Sequence, residues 1–285
     1  MPFPLHPTER KVAVMYEQFF EMKNTPFTRN VPPEKLYESS AIDETLGRLS
    51  YAADRQLFAV VTADAGCGKS TLIRKFVSTL PKDEYLFLYI SDSKLTPRWF
   101  YKGMLDQLGI ESKFYRGDAK RQLQKEVEII RGVQGKKVVC ILDEAHLLEK
   151  ETIEEFRFLL NYRFDSMSPM ALVLVGQSEL WDKLKLQRYA AVRHRIDISC
   201  IIPHLDRAET QHYIESHLDY ASGRKDIFTD KAVDEIYKVS TGIPRRINHI
   251  CDGCLMYASQ QNKRLIDEHQ VQFVIEHEML GSEVS

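Results

Sequence analysis

One stretch constrains this chain more than any other: Ala63, Asp64, Ala65, Gly66, Cys67, Gly68, Lys69, Ser70 and Thr71. The apolar run Leu57 to Val61 precedes it and predicts a buried strand. Leu72, Ile73 and Phe76 follow with helical spacing. Strand, small-residue loop, Lys-Ser-Thr and helix, in that order, make a phosphate-binding loop. Glycines let backbone N–H groups close around phosphates, and the new helix points its positive end at them. Lys69 is placed to reach the β- and γ-phosphates of ATP, and the Ser70 hydroxyl to hold Mg²⁺. The usual pattern opens on Gly, whereas this chain has Ala63, a residue that tolerates positive φ poorly.

A second signal is Val138 to Leu142 followed by Asp143 and Glu144. An apolar strand that ends in two carboxylates puts them at its C-terminal edge, where ligands sit in an open α/β sheet. There Asp143 would hold Mg²⁺, directly or through water. Glu144 would orient and activate the attacking water. A fourth strand, Ala171 to Val175, leads to Gly176 and Gln177, whose amide could hold the water or the γ-phosphate. Gln after a strand is also an ordinary turn residue.

Strands are expected at 57–61, 85–90, 138–142, 171–175 and 196–202, with helices between them. The alternation predicts a parallel α/β sheet. The run 85–90 (Tyr-Leu-Phe-Leu-Tyr-Ile) has no polar alternation and predicts burial on both faces. Thr96-Pro97 opens a helix as N-cap and N1. Further helices are expected at 10–22, 41–53, 120–132 and 151–162. Beyond Pro203 only helices are expected, at 206–221, 229–240, 246–261 and 267–279. The domain plan is therefore an N-terminal extension over 1–40, an α/β domain over 41–203, a helical lid over 204–280 and a tail over 281–285.

Arg188, Arg193 and Arg195 cluster before the fifth strand. They are either a solvated face or a source of an arginine finger for a neighbouring subunit's ATP. Gly242-Ile-Pro244 turns into a helix that carries Arg245, which could touch the γ-phosphate. The five cysteines and the absence of a secretory pattern imply reduced thiols in a cytoplasmic protein. No apolar run approaches the roughly 20 residues of a membrane span.

The order of these signals is that of AAA+ ATPases. More closely, the chain resembles the ExeA-like (general secretion pathway A) ATPases. The matching stretches are Phe19-Phe20 with Pro26-Phe27, Leu142 to His146, Leu174 to Leu180, Val192 to Ile196, and Thr241 to Asn248. The resemblance implies a P-loop AAA+ domain with a helical lid, ATP hydrolysis with Mg²⁺, nucleotide-dependent oligomers and arginines acting in trans. Secretion-type members carry a membrane span and a further binding region after the ATPase, and neither is expected here. The chain is also similar to TnsC-like and MuB-like regulators of DNA transposition. That implies sequence-independent binding to double-stranded DNA, a transposase or other recombination partner, and a homo-oligomeric ring or helical filament. The alternative is an ATPase switch that acts on a protein partner without DNA.

With a net charge of −2 for the whole chain, DNA contact needs a local patch. Between Lys94 and Arg121 the basic residues are Lys94, Arg98, Lys102, Lys113, Arg116, Lys120 and Arg121. Against three acidic ones, seven basic residues leave a local excess of +4. Trp99, Phe100, Tyr101, Phe114 and Tyr115 are interleaved with them. Such a stretch reads either as a phosphate-binding surface or as a solvated helix face over core aromatics.

Overall fold

The structure is a computed structural model that describes residues 16–91, 95–160 and 168–279. These fall into two compact units. One comprises Ser40–Ala65 and Lys69–Pro203; the other comprises 16–39, Gly66–Gly68 and 204–279.

The first unit is built on five parallel strands: β1 (Phe58–Thr62), β2 (Tyr85–Ile90), β3 (Lys137–Leu142), β4 (Ala171–Gly176) and β5 (Ile198–Ile201). Their order is β2-β3-β4-β1-β5. Helix α1 (Ser40–Arg55) precedes β1; parallel neighbours need crossovers, and the later helices supply them: α2 (Lys69–Thr79), α3 (Pro97–Gln107), α4 (Arg116–Gly132), α5 (Lys150–Leu160), α6 (Glu179–Lys185) and the short α7 (Ala190–Arg193). The central strands β1, β3 and β4 are buried almost throughout, because helices cover both faces. The core gathers Phe58, Leu88, Phe100, Tyr101, Leu123, Phe156 and Leu172.

Two expectations need correction here. Strand β2 is at the sheet edge, so its unbroken apolar run does not mean burial on both faces; Tyr89 is 42% exposed. Helix α4 begins at Arg116, a turn before the expected Lys120. Gly117 hides the start, while Asp118 in the first turn suits the positive helix end. Thr96 caps α3 as expected, accepting the Trp99 N–H at 3.5 Å.

Register decides where the site lies. Thr62 pairs with Gly176, Leu174 with Leu142, and Leu142 with Ile90. The residues that follow β1, β3 and β4 therefore leave the sheet at one common edge.

The second unit packs α8 (Arg207–Tyr220), α9 (Asp230–Ser240), α10 (Pro244–Gln260) and α11 (Glu268–Val274) around a core that includes Ile214, Leu218, Ile236, Ile250 and Leu255. Capping boxes at Asp206/Glu209 and Asp267/Gln270 open α8 and α11. Helix α10 starts at Pro244, not the expected Arg246, since Pro is pre-set for the first helical position. Residues 16–39 join this unit: Tyr16, Phe20 and Phe27 are in its core, and the His217 ring stacks on Phe27. The expected helix over 10–22 is described only from residue 16, where 16–19 are helical. Gly242 has φ +74°, and a Cβ there would lie 1.8 Å from the Leu205 carbonyl oxygen, so only glycine fits.

Candidate functional site

The phosphate loop runs from β1 into α2. Gly66 and Gly68 have φ of +89° and +85°, which is the turn chemistry a backbone cradle needs. Ala63 is not among the residues of positive φ. It extends the sheet instead, its N–H donating to the Gly176 carbonyl at 3.2 Å. The alanine therefore carries no strain. The Lys69 ammonium donates to the carbonyls of Ala63 at 2.9 Å and Asp64 at 3.1 Å, which curls it along its own loop. Asp64 accepts the Ser178 hydroxyl at 2.5 Å, tying the loop after β1 to the loop after β4. Ser70 is exposed at the first turn of α2, where backbone N–H groups lack helical acceptors.

The carboxylates emerge after β3, two strands away from β1. Asp143 is 6% exposed. Its Oδ1 accepts the Glu144 N–H and its Oδ2 accepts the Tyr89 O–H, both at 2.8 Å. Burial, then the bond to Asp143, raises the Tyr89 phenol well above its ordinary pKa, so it remains a donor. Glu144 occupies the left-handed region, φ 51° and ψ 32°, a conformation that strains a residue with a Cβ. Its carboxylate is 42% exposed.

His146 joins β3 to β4. It lies in a short 3-10 turn rather than in the helix that follows. Its Nδ1 accepts the Gln177 N–H at 3.4 Å and lies 3.4 Å from Glu144 Oε2. Gly176 permits the close approach of the two loops: a Cβ there would lie 3.0 Å from the His146 backbone nitrogen. Lys183 donates to the carbonyls of His146, at 2.5 Å, and Leu148, at 3.1 Å. Sequence reasoning found none of the His146–Gln177, Tyr89–Asp143 and Asp64–Ser178 contacts. Each of these three contacts joins residues at least 31 positions apart, so no local spacing could signal them.

Lys69, Asp143, Glu144 and Gln177 thus leave one sheet edge together, with Ser70 at the start of α2. The Ser70 hydroxyl and the Asp143 carboxylate are hard oxygen donors of the kind Mg²⁺ takes. The Arg193 guanidinium donates to the carbonyls of Leu184 at 3.2 Å and Lys185 at 2.6 Å, closing the C-terminal end of α6. Arg195 is half-buried, and Arg188 lies over the Tyr189 ring. Arg245 belongs to the helical unit, where it is exposed on the first turn of α10, and its N–H donates to the Gly66 carbonyl of the same unit at 3.2 Å.

The basic stretch behaves differently. Lys94 lies outside the described residues. Lys102 pairs with Asp106, and Arg121 pairs with Asp118 at 2.5 Å. Arg116 and Lys120 each lie 3.4 Å from Glu155, a buried carboxylate that also accepts the Tyr101 O–H at 2.6 Å. Glu155 is outside the counted stretch, so the local charge is lower than the sequence count implied. Arg98 stacks 4.2 Å over Phe114, and Lys113 is exposed. The aromatics divide: Phe100 and Tyr101 are core, whereas Trp99, Phe114 and Tyr115 are more than half exposed.

A glycine-bearing loop after β1, an Asp-Glu pair after β3 with β4 between the two, and the strand order β2-β3-β4-β1-β5 make up the arrangement of a P-loop AAA+ fold. Residues 52–184 match the AAA domain family. The chain is similar to the general secretion pathway protein A of Aeromonas hydrophila, with 32% identity over 251 residues. That match covers 86% of this chain and 45% of the relative, so the chain spans less than half the relative's length. Among solved structures, the ADP form of the Aeropyrum pernix ORC2 protein matches with a TM-score of 0.66 at 15% identity, over 93% of this chain and 75% of that one. Drosophila ORC bound to DNA matches at 0.63 and 15%, over 99% of this chain and 69% of that one. At such identities these two show the fold alone. This chain thus has the P-loop AAA+ fold and is similar in sequence to an ExeA-like (general secretion pathway A) protein. Among the described residues, no helix is long and apolar enough to cross a membrane.

Proposed function

We propose that this ATPase assembles with ATP on double-stranded DNA and recruits or activates a transposase or related recombination protein, as TnsC-like and MuB-like regulators do. The observation that carries the reading is the outer face of α3 and α4. Arg98 of α3 stacks over Phe114, whose ring meets that of Tyr115, and Trp99 of α3 and Lys113 of the connection between the two helices are also exposed. Cations of this kind contact phosphates without reading bases, so binding is sequence-indifferent and salt-sensitive. One subunit supplies few contacts; ATP-aligned copies multiply them.

In the hydrolytic site the loop 63–71 cradles the phosphates and Lys69 neutralises them. Ser70 and Asp143 are the residues that would hold Mg²⁺, which neutralises phosphate charge when bound. Glu144 orients the attacking water and takes its proton. Gln177, fixed through its backbone by His146, stands beside it. Arg193 or Arg195 acts on a neighbouring subunit's nucleotide; Arg193 does so only by giving up the carbonyls of Leu184 and Lys185. Arg245 reports nucleotide state to the helical unit.

A second reading has its own support: an ATPase switch for a protein partner. The 32% identical relative is a secretion-pathway protein, and four cations of the patch already have carboxylate partners. Fluorescence anisotropy with two unrelated duplexes, in ATP, ADP and a slowly hydrolysed analogue, separates the two. ATP-dependent binding to both duplexes, weakened by salt and by Arg98→Ala with Lys113→Ala, supports the DNA reading. No binding at low salt in any nucleotide state leaves the protein-partner switch in its place.

A further inference from the structure

We infer that Tyr89 is a positioning residue for the Asp143 carboxylate, and that Gln107 holds Tyr89 in place from the outer side of the sheet. The inference rests on the reading of Asp143 as a magnesium-holding residue.

Among the described residues, strand β2 has a strand partner, β3, on one side only. On its open side the Gln107 side chain acts as a one-residue substitute for a neighbouring strand. Its Oε1 accepts the Tyr89 N–H and its Nε2 donates to the Tyr89 carbonyl, both at 2.9 Å. The same Nε2 also donates to the Gly103 carbonyl at 3.2 Å, which ties the amide to α3. Two bonds to one residue's backbone set the direction of its side chain. From that backbone the phenol reaches across to β3 and donates to Asp143 Oδ2.

Asp143 is then held at three points. Its own N–H donates to the Ile90 carbonyl at 2.8 Å, Oδ1 receives the Glu144 N–H, and Oδ2 receives Tyr89. Turning the carboxylate about its last bond would break both oxygen contacts, so its plane is set. Each oxygen accepts one hydrogen bond and keeps a second lone pair for water or a cation. Orienting contacts of this kind raise the affinity of a carboxylate for a metal ion without touching the ion.

The test uses the full chain in a Glu144→Gln background, so that bound nucleotide persists. A fluorescent ATP analogue is titrated with and without magnesium. Tyr89→Phe keeps the ring and removes the hydroxyl. The magnesium concentration for half-maximal nucleotide binding should rise about five- to tenfold. Binding in chelator and the thermal midpoint should stay as in the parent. Gln107→Ala should shift the same quantity about twofold in the same direction. Adding Tyr89→Phe to Asp143→Asn should change nothing further. If Asp143→Asn itself leaves the magnesium requirement unmoved, the reading of Asp143 fails. If Asp143→Asn raises it and Tyr89→Phe does not, the positioning role of Tyr89 is overturned. Equal weakening with and without magnesium also overturns it, because that marks a structural tyrosine only.

Discussion

The common edge of β1, β3 and β4 and the outer face of α3 and α4 are both rich in charge, yet they hold it differently. At the sheet edge, polar side chains are secured largely by backbone groups. Lys69 rests on two carbonyls, Asp143 takes an N–H, and His146 takes the Gln177 N–H. On the helical face, charges are secured by one another: Lys102 by Asp106, Arg121 by Asp118, Arg116 and Lys120 by Glu155. Backbone partners are held in position by the fold. Surface ion pairs are weak and exchangeable, worth about 0–1 kcal/mol. The first arrangement suits chemistry that needs one geometry. The second suits a surface that trades internal partners for external ones.

Four substitutions break or sharpen this contrast. The largest effect belongs to Glu144→Gln, which should lower ATP turnover at least about a hundredfold. Nucleotide affinity, measured by equilibrium binding, should stay within about threefold, since Glu144 contributes through the attacking water. Wild-type turnover in this variant would remove Glu144 from its role. Lys69→Ala should weaken nucleotide binding itself about a hundredfold, because a charge-assisted contact to phosphate is lost.

Glu155→Ala comes next. It strands the Tyr101 O–H, which is fully buried, and should cost about 2 kcal/mol in denaturant unfolding. It also releases Arg116 and Lys120, so duplex affinity at low salt should rise if the face binds DNA. Destabilisation without that rise would mark the cluster as scaffold only. The smallest effect is Asp118→Asn. Its pair with Arg121 is largely exposed, so stability should move by less than about 0.5 kcal/mol. Duplex affinity should rise about twofold, with a slightly steeper salt dependence. A drop in affinity would count against the exchange of partners.

The loop after β1 and the carboxylate pair after β3 were legible because each is local. Loop 63–71 combines glycines, Lys-Ser-Thr and flanking periodicity within one strand–helix step. Asp143 and Glu144 follow directly on an apolar run. The five strands and most helix ends could be read from apolar spacing and from the Thr96 cap. What failed to read correctly depended on neighbours in space. The run 85–90 looks the same whether its strand is central or at an edge. The start of α4 was hidden by Gly117. The charge of 94–121 was counted without Glu155, which comes from another helix.

By itself, then, the sequence determined the class of fold and where loop 63–71 and the two carboxylates fall on it, because helical and strand periodicity and turn chemistry act over a few residues. Only the tertiary structure decided that Ala63 needs no left-handed backbone, and that Tyr89 grips Asp143. It alone placed His146 between Glu144 and Gln177, and neutralised much of the basic stretch. Each of these depends on strand order and register, which bring residues far apart in the chain within hydrogen-bond reach and leave no mark on local spacing.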